Sequence, residues 1–288
     1  MITLSCCNFD DPYTGEPLKE ASEPSFDLST ELGKLQDHIY NRFGIELLAT
    51  IDTSLYVYNM TSVKIIVEGD NVGHHISKAE PDQVVHAINF LETEVFGKLG
   101  EPFVKKYLPR RIMFLNMCGY YTSSDLLDGM QPGVRMYPGY GELSIGCIAL
   151  AGVSSDFQNI KDKTKITRAW LSLIIEKAFS RLPFPKQFAE LYDKGSKLDD
   201  FSTIQLGDLH NYGFICNYRK SFYLEGVHQP DVYVSKLSLE QDFGDFMAAV
   251  LVLTKTELDE LKGISPLIAS KIEVAQNYKN LIINSITK

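Results

Sequence analysis

Two late segments, Lys165 to Arg181 and Leu239 to Leu253, constrain the fold more than anything else in the chain, because both carry apolar residues at helical spacing with little polar relief. The first holds Ile166, Trp170, Leu173, Ile174 and Ala178 and stops at Pro183-Phe184-Pro185. A helix apolar over so much of its surface belongs inside a protein. No run of 18 apolar residues exists, so neither segment reads as a membrane span.

The remaining elements fall around these two. Leu28, Leu32, Leu35, Ile39 and Phe43 mark an amphipathic helix that Gly44 stops. Ile45 to Thr50 and Val57 to Val67 read as strands on either side of the turn-like Asp52-Thr53-Ser54. Pro81-Asp82 opens a helix with Val84, Ile88, Leu91, Val95 and Leu99 on its core face, ending at Gly100. Arg111 to Met117 reads as a buried strand. The Gly- and Tyr-rich stretch from Gly119 to Gly141 reads as an interruption of regular structure, and Glu142 to Leu150 as an alternating strand. Ser265 to Ile286 closes the chain as a helix with Leu267, Ile268, Ile272, Ala275, Tyr278 and Ile282 on its stripe. Strands come early and helices late, with no repeat between them. The expected class is α+β, a strand-rich N-terminal part followed by a helical C-terminal part.

Charge and cysteine placement exclude several functions. Twenty-eight Lys and Arg against 37 Asp and Glu give a net charge of -9, and no basic cluster exceeds Pro109-Arg110-Arg111, so a nucleic-acid backbone is repelled overall. Cys118, Cys147 and Cys216 are scattered and no CxxC occurs, which argues against a zinc ribbon or a redox dithiol. The six His (His38, His74, His75, His86, His210 and His228) contain no pair at i and i+4 on a helix. His74-His75 reads as a solvated loop pair. Neither GxSxG nor a phosphate-binding Gly loop is present. Asp242 and Asp245, three apart in an apolar helix, share one face.

The opening Met1-Ile2-Thr3-Leu4-Ser5-Cys6-Cys7 resembles the end of a bacterial lipoprotein signal peptide, and the acidic Asn8-Phe9-Asp10-Asp11 resembles a surface-export tag. Cys6 is the expected acylation site, with residues 1–24 as signal remnant and flexible tether and 25–288 as a single domain.

The order of short segments from Leu28 to Ile286 resembles the substrate import-associated zinc metallohydrolase lipoproteins, zincin-like proteins of TonB-dependent uptake loci. The segments are Phe43-Gly44-Ile45-Glu46-Leu47, Leu91 to Phe96, Phe103 to Pro109, the strand Ile112 to Asn116, Pro183-Phe184-Pro185 with Phe188, Gly213-Phe214-Ile215 with Tyr218, and Gln241-Asp242-Phe243-Gly244-Asp245. The resemblance implies a zincin-like fold. Its HExxH falls on Ser172 to Glu176, where Ser172 replaces the first His, Leu173 the Glu base and Glu176 the second His, while Asp245 stands at the later acidic ligand. Counted so, the motif is degenerate: no catalytic residues, no metal and no cofactor are expected. The expected function is that of a pseudo-metallopeptidase at the outer-membrane surface of a Gram-negative cell. It is held there by lipid and binds a peptide or glycan for a nutrient-uptake system. Its expected partners are neighbouring uptake lipoproteins or a TonB-dependent transporter, with ligand contacts from Glu176, Tyr120, Tyr121, Tyr137 and Tyr140. An active zinc metallohydrolase with unrecognised ligands and a purely structural lipoprotein subunit are the alternatives. The strand Glu142 to Leu150 is expected at a sheet edge, open to an extended ligand, and Glu176 is expected either solvated or paired with Arg168 or Arg181.

Overall fold

The Thr30 hydroxyl accepts a hydrogen bond from Gly33 N at 3.0 Å and so starts helix α1 (Glu31–Phe43), while Gly44, at φ +70°, ends it where a side chain would be strained. The computed structural model describes residues 24–49, 65–66, 73–121, 136–138, 146–149, 160–179, 182–195, 204–215, 233–234 and 237–282. Cys6, the acidic segment after it, Tyr140, His228 and the turn at Asp52 lie outside those residues.

After α1 come β1 (Glu46–Leu48), β2 (Ile65–Ile66) and β3 (Gly73–Lys78). Helix α2 (Pro81–Phe90) continues through a π-helical stretch, Leu91–Phe96, and a last turn, Gly97–Leu99, to Gly100 at φ +81°. Helix α3 (Glu101–Tyr107) leads into β4 (Arg111–Tyr121), then β5 (Met136–Pro138) and β6 (Gly146–Ala149). Helices α4 (Ile160–Ala178) and α5 (Lys186–Gly195) follow, then β7 (Ile204–Gln205), a 3-10 segment (Leu206–Tyr212) and β8 (Tyr233–Val234). Helices α6 (Leu239–Val252), α7 (Lys255–Ile264) and α8 (Pro266–Ile282) complete the described chain. The architecture is α+β.

The main sheet is mixed, in the order β2-β3-β4-β6-β5, with β1 also on β4. β4 is its spine: the first half pairs parallel with β1 and β6, and the second half pairs antiparallel with β3. One cluster of buried residues takes in Ile39 and Phe43 of α1, the sheet residues Leu47, Ile112 and Phe114, and the inner faces of α2, α4, α6 and α8. At its helical end Phe243 meets Phe179, Phe184, Phe188 and Tyr278 at 5.1–6.0 Å between ring centroids. Edge-to-face packing of that kind adds to the burial of each ring.

Several sequence expectations need correction. β4 runs on through Gly119–Tyr121, and β5 lies inside the Tyr-rich stretch read as irregular, because pairing with neighbours supplies the order that Gly and Pro lack locally. β6 is an internal strand, flanked by β4 and β5, so the edge lies one strand further out. His74 and His75 sit on β3, paired with Tyr120 and Gly119, and are not in a loop. Helix α4 starts five residues before Lys165, its polar first turns hiding the periodicity. Helices α5 and α7 stand where the sequence expectation has no element, and the β7–β8 pair places strands in the late half.

Candidate functional site

Helices α4 and α6 cross at Ser172 and Gly244. A Cβ on Gly244 would stand 2.6 Å from the Ser172 carbonyl oxygen, so glycine there lets the two backbones touch. At that crossing the Ser172 hydroxyl donates to Asp245 Oδ1 at 2.5 Å, with both residues buried. The structure thus brings together two of the four residues singled out as degenerate motif positions. Leu173, the third, is buried in the main core. Glu176, one turn beyond Ser172, is half-buried, with its Oε2 closed off from solvent. Arg168 lies near Glu257, whose carboxyl is held low by hydrogen bonds from Thr254 first and by Arg168 more weakly. Arg181 falls outside the described residues.

This donor set does not fit zinc. Zn(II) needs three or four N, S or O donors converging on one point, whereas the Ser172 hydroxyl and one Asp245 oxygen are spent on each other and Leu173 offers none. Among the described residues no group of three or more His, Cys, Asp or Glu converges as a metal site. His38 Nε2 pairs with Glu92 at 2.8 Å, and His210 Nδ1 lies 3.0 Å from the Phe214 carbonyl.

The tyrosines do not form one platform. Tyr137 of β5 is level with Cys147 of β6 and hence with Met113 of β4, while Tyr120 and Tyr121 lie at the far end of β4 opposite His74 and Gly73. Seven residues of strand separate Tyr120 from the level of Tyr137, roughly 23 Å. A cavity of about 500 Å³ opens elsewhere, at the C-terminal end of α1, lined by Tyr40, Arg42, Lys105 and Arg110 among others. Glu101 already holds both Arg42 and Lys105.

A second buried polar centre joins Asp242, which the sequence singles out, to Lys271, which it does not. Asp242, three residues before Asp245, pairs with Lys271 of α8 at 2.6 Å, and both side chains are fully buried. Burial pushes the Asp242 carboxyl up to about 6 against the pull of Lys271, and burial likewise lowers Lys271. A signal existed: Lys271 occupies the apolar stripe of α8 between Leu267 and Ala275, and Asp242 shares a face with Asp245 on another apolar helix.

Neither a family model nor a curated protein matches the chain. A solved structure from Bacteroides caccae ATCC 43185, described as a "putative zinc-binding metallo-peptidase", shares its fold: TM-score 0.56 at 11% identity, covering 90% of this chain and 89% of that one. The likeness is one of architecture.

Proposed function

We propose that this chain is a zincin-like pseudo-metallopeptidase, a metallopeptidase architecture kept for binding after loss of the metal. The single observation that carries the reading is the direct Ser172–Asp245 hydrogen bond, which joins the position of the first lost His to that of the acidic ligand. The buried Leu173 supports it, since no carboxylate stands there to take a proton from water. The shared fold with a protein described as zinc-binding is a further support. Anchoring through Cys6 at the outer-membrane surface, beside a nutrient transporter and its lipoproteins, belongs to the same proposal. The bound species in that setting is a peptide or glycan.

With β6 internal, an extended ligand on that side of the sheet would have to add at β5, which is outermost there among the described residues. Burial of Ser172 and Leu173 favours a second reading, a structural lipoprotein subunit whose former cleft is filled.

Assays with a fluorogenic peptide library, with and without added zinc, test the proposal. No turnover above a Ser172→Ala control is expected. Zinc-dependent hydrolysis abolished by Asp245→Ala would overturn it, and an unacylated Cys6 in the native membrane fraction would overturn the anchoring.

A further inference from the structure

Three sequence segments that the proposed function leaves unexplained converge away from Ser172, on one buried nitrogen. Phe188 follows Pro183-Phe184-Pro185, Phe214 belongs to Gly213-Phe214-Ile215, and Asp242 belongs to Gln241-Asp242-Phe243. The Lys271 Nζ lies 4.8 Å from the Phe214 ring centroid, 5.4 Å from Phe246, 5.7 Å from Phe188 and 5.8 Å from Tyr192. It donates to the Gly213 carbonyl at 3.0 Å and to Asp242 Oδ2 at 2.6 Å. Four π faces within about 6 Å, one carboxylate and one carbonyl are what a desolvated ammonium group requires.

The box is built from separate parts of the chain and held rigidly. Gly213 has φ +77°, and the space its Cβ would take is filled by Leu267 of α8. Tyr192 is fixed by its hydroxyl, which donates to the Leu237 carbonyl at 2.7 Å. Asp242 Oδ1 is buried and accepts no hydrogen bond among the described residues, a spare acceptor inside the box. An ordinary apolar core position would need none of this, because a leucine could fill the volume.

We propose that these groups form an alkylammonium-binding site, filled from within by the Lys271 side chain, which thereby docks α8 against α5, α6 and the segment carrying Gly213. Emptied of that side chain, the site takes a small primary alkylammonium ion from solution. It selects for the cation over a neutral chain of the same length, because the carboxylate and four ring faces are left without their charge partner.

The test is chemical rescue of Lys271→Ala in the full chain, read by thermal unfolding with ethylammonium, ethanol and NaCl as separate additions; ethylammonium fits because alanine keeps Cβ and a non-bonded contact needs more room than the lost C–C bond. Ethylammonium at about ten times its Kd should raise the Tm of the variant by about 2–3 °C with saturation. The other two additions, and the wild type with any of them, should show no saturable shift. An equal response to ethanol would overturn the proposal, leaving a void that any chain fills. Absence of a response to ethylammonium in folded Lys271→Ala would overturn it as well. If Lys271→Ala does not fold alone, refolding is run with and without ethylammonium, beside Asp242→Asn/Lys271→Met, which keeps the rings without the charges. Recovery of soluble Lys271→Ala with the amine alone supports the site. Failure with the amine, or an amine response of the double variant equal to that of Lys271→Ala, contradicts it.

Discussion

Asp242 and Asp245 stand one turn apart on α6, both buried, yet they are held in opposite ways. Asp245 reaches α4 and accepts from a neutral hydroxyl; Asp242 reaches α8 and faces a full positive charge. Both contacts tie α6 to a neighbouring helix, so both are sites where a carboxylate was kept in an apolar wall. They differ in what is lost when a partner goes. Removing the hydroxyl leaves an acceptor that lacks one hydrogen bond, whereas removing the ammonium leaves a charge in a dry core. A buried pair that is costly to break need not be stabilising as a whole.

The largest expected effect follows from that difference. Lys271→Met, which fills volume but removes the charge, should destabilise the chain by about 3–5 kcal/mol, measured by urea unfolding. Asp242→Leu/Lys271→Met, with both charges replaced by apolar groups, should recover most of the loss. A double variant as unstable as the single one would show that the pair contributes more than mutual neutralisation. Ser172→Ala should cost less, about 1–3 kcal/mol, the penalty for an unsatisfied buried acceptor. A loss equal to that of Lys271→Met would erase the contrast between the two carboxylates.

A smaller effect is expected from pH. The folded-state pKa of Asp242, about 6, stands above its ordinary value of 3.8, so its contribution to stability is fully present below 3.8 and is lost as pH rises through about 6. Exposed carboxylates held low by hydrogen bonds, Asp27 from Ser29 and Glu101 from Lys105, pull the opposite way on acidification. The difference in stability between wild type and Asp242→Leu/Lys271→Met isolates the buried group. It should shift in favour of the wild type between pH 7 and pH 4; a difference that stays flat or moves the other way would refute the raised carboxyl.

How much of this was legible depends on the range over which each signal acts. Helix α1 and its stop at Gly44 were readable because apolar spacing and a C-terminal glycine are local. So was the core face of α2, with Val84, Ile88, Leu91, Val95 and Leu99 all buried. Helix α7 buries only Leu258, so its periodicity was faint, though the Thr254/Glu257 capping box announces its start. The position of β6 between β4 and β5 is set by pairing across distant segments, and a strand's own residues do not say which strand will flank it. Ser172 was picked out by resemblance alone, and Asp245 also by its place three residues after Asp242 on an apolar helix. Their contact, and the Lys271 box, depend on how α4, α5, α6 and α8 pack together.

At the crossing of α4 and α6 a hydrogen bond stands where, on the proposed reading, a metal site would need converging ligands. The most direct test is zinc stoichiometry by elemental analysis, after loading purified full-length protein with zinc and dialysing against a mild chelator. Sub-stoichiometric zinc, unchanged in Asp245→Ala, is expected. One zinc per chain, retained through dialysis and lost in Asp245→Ala or Glu176→Ala, would contradict it.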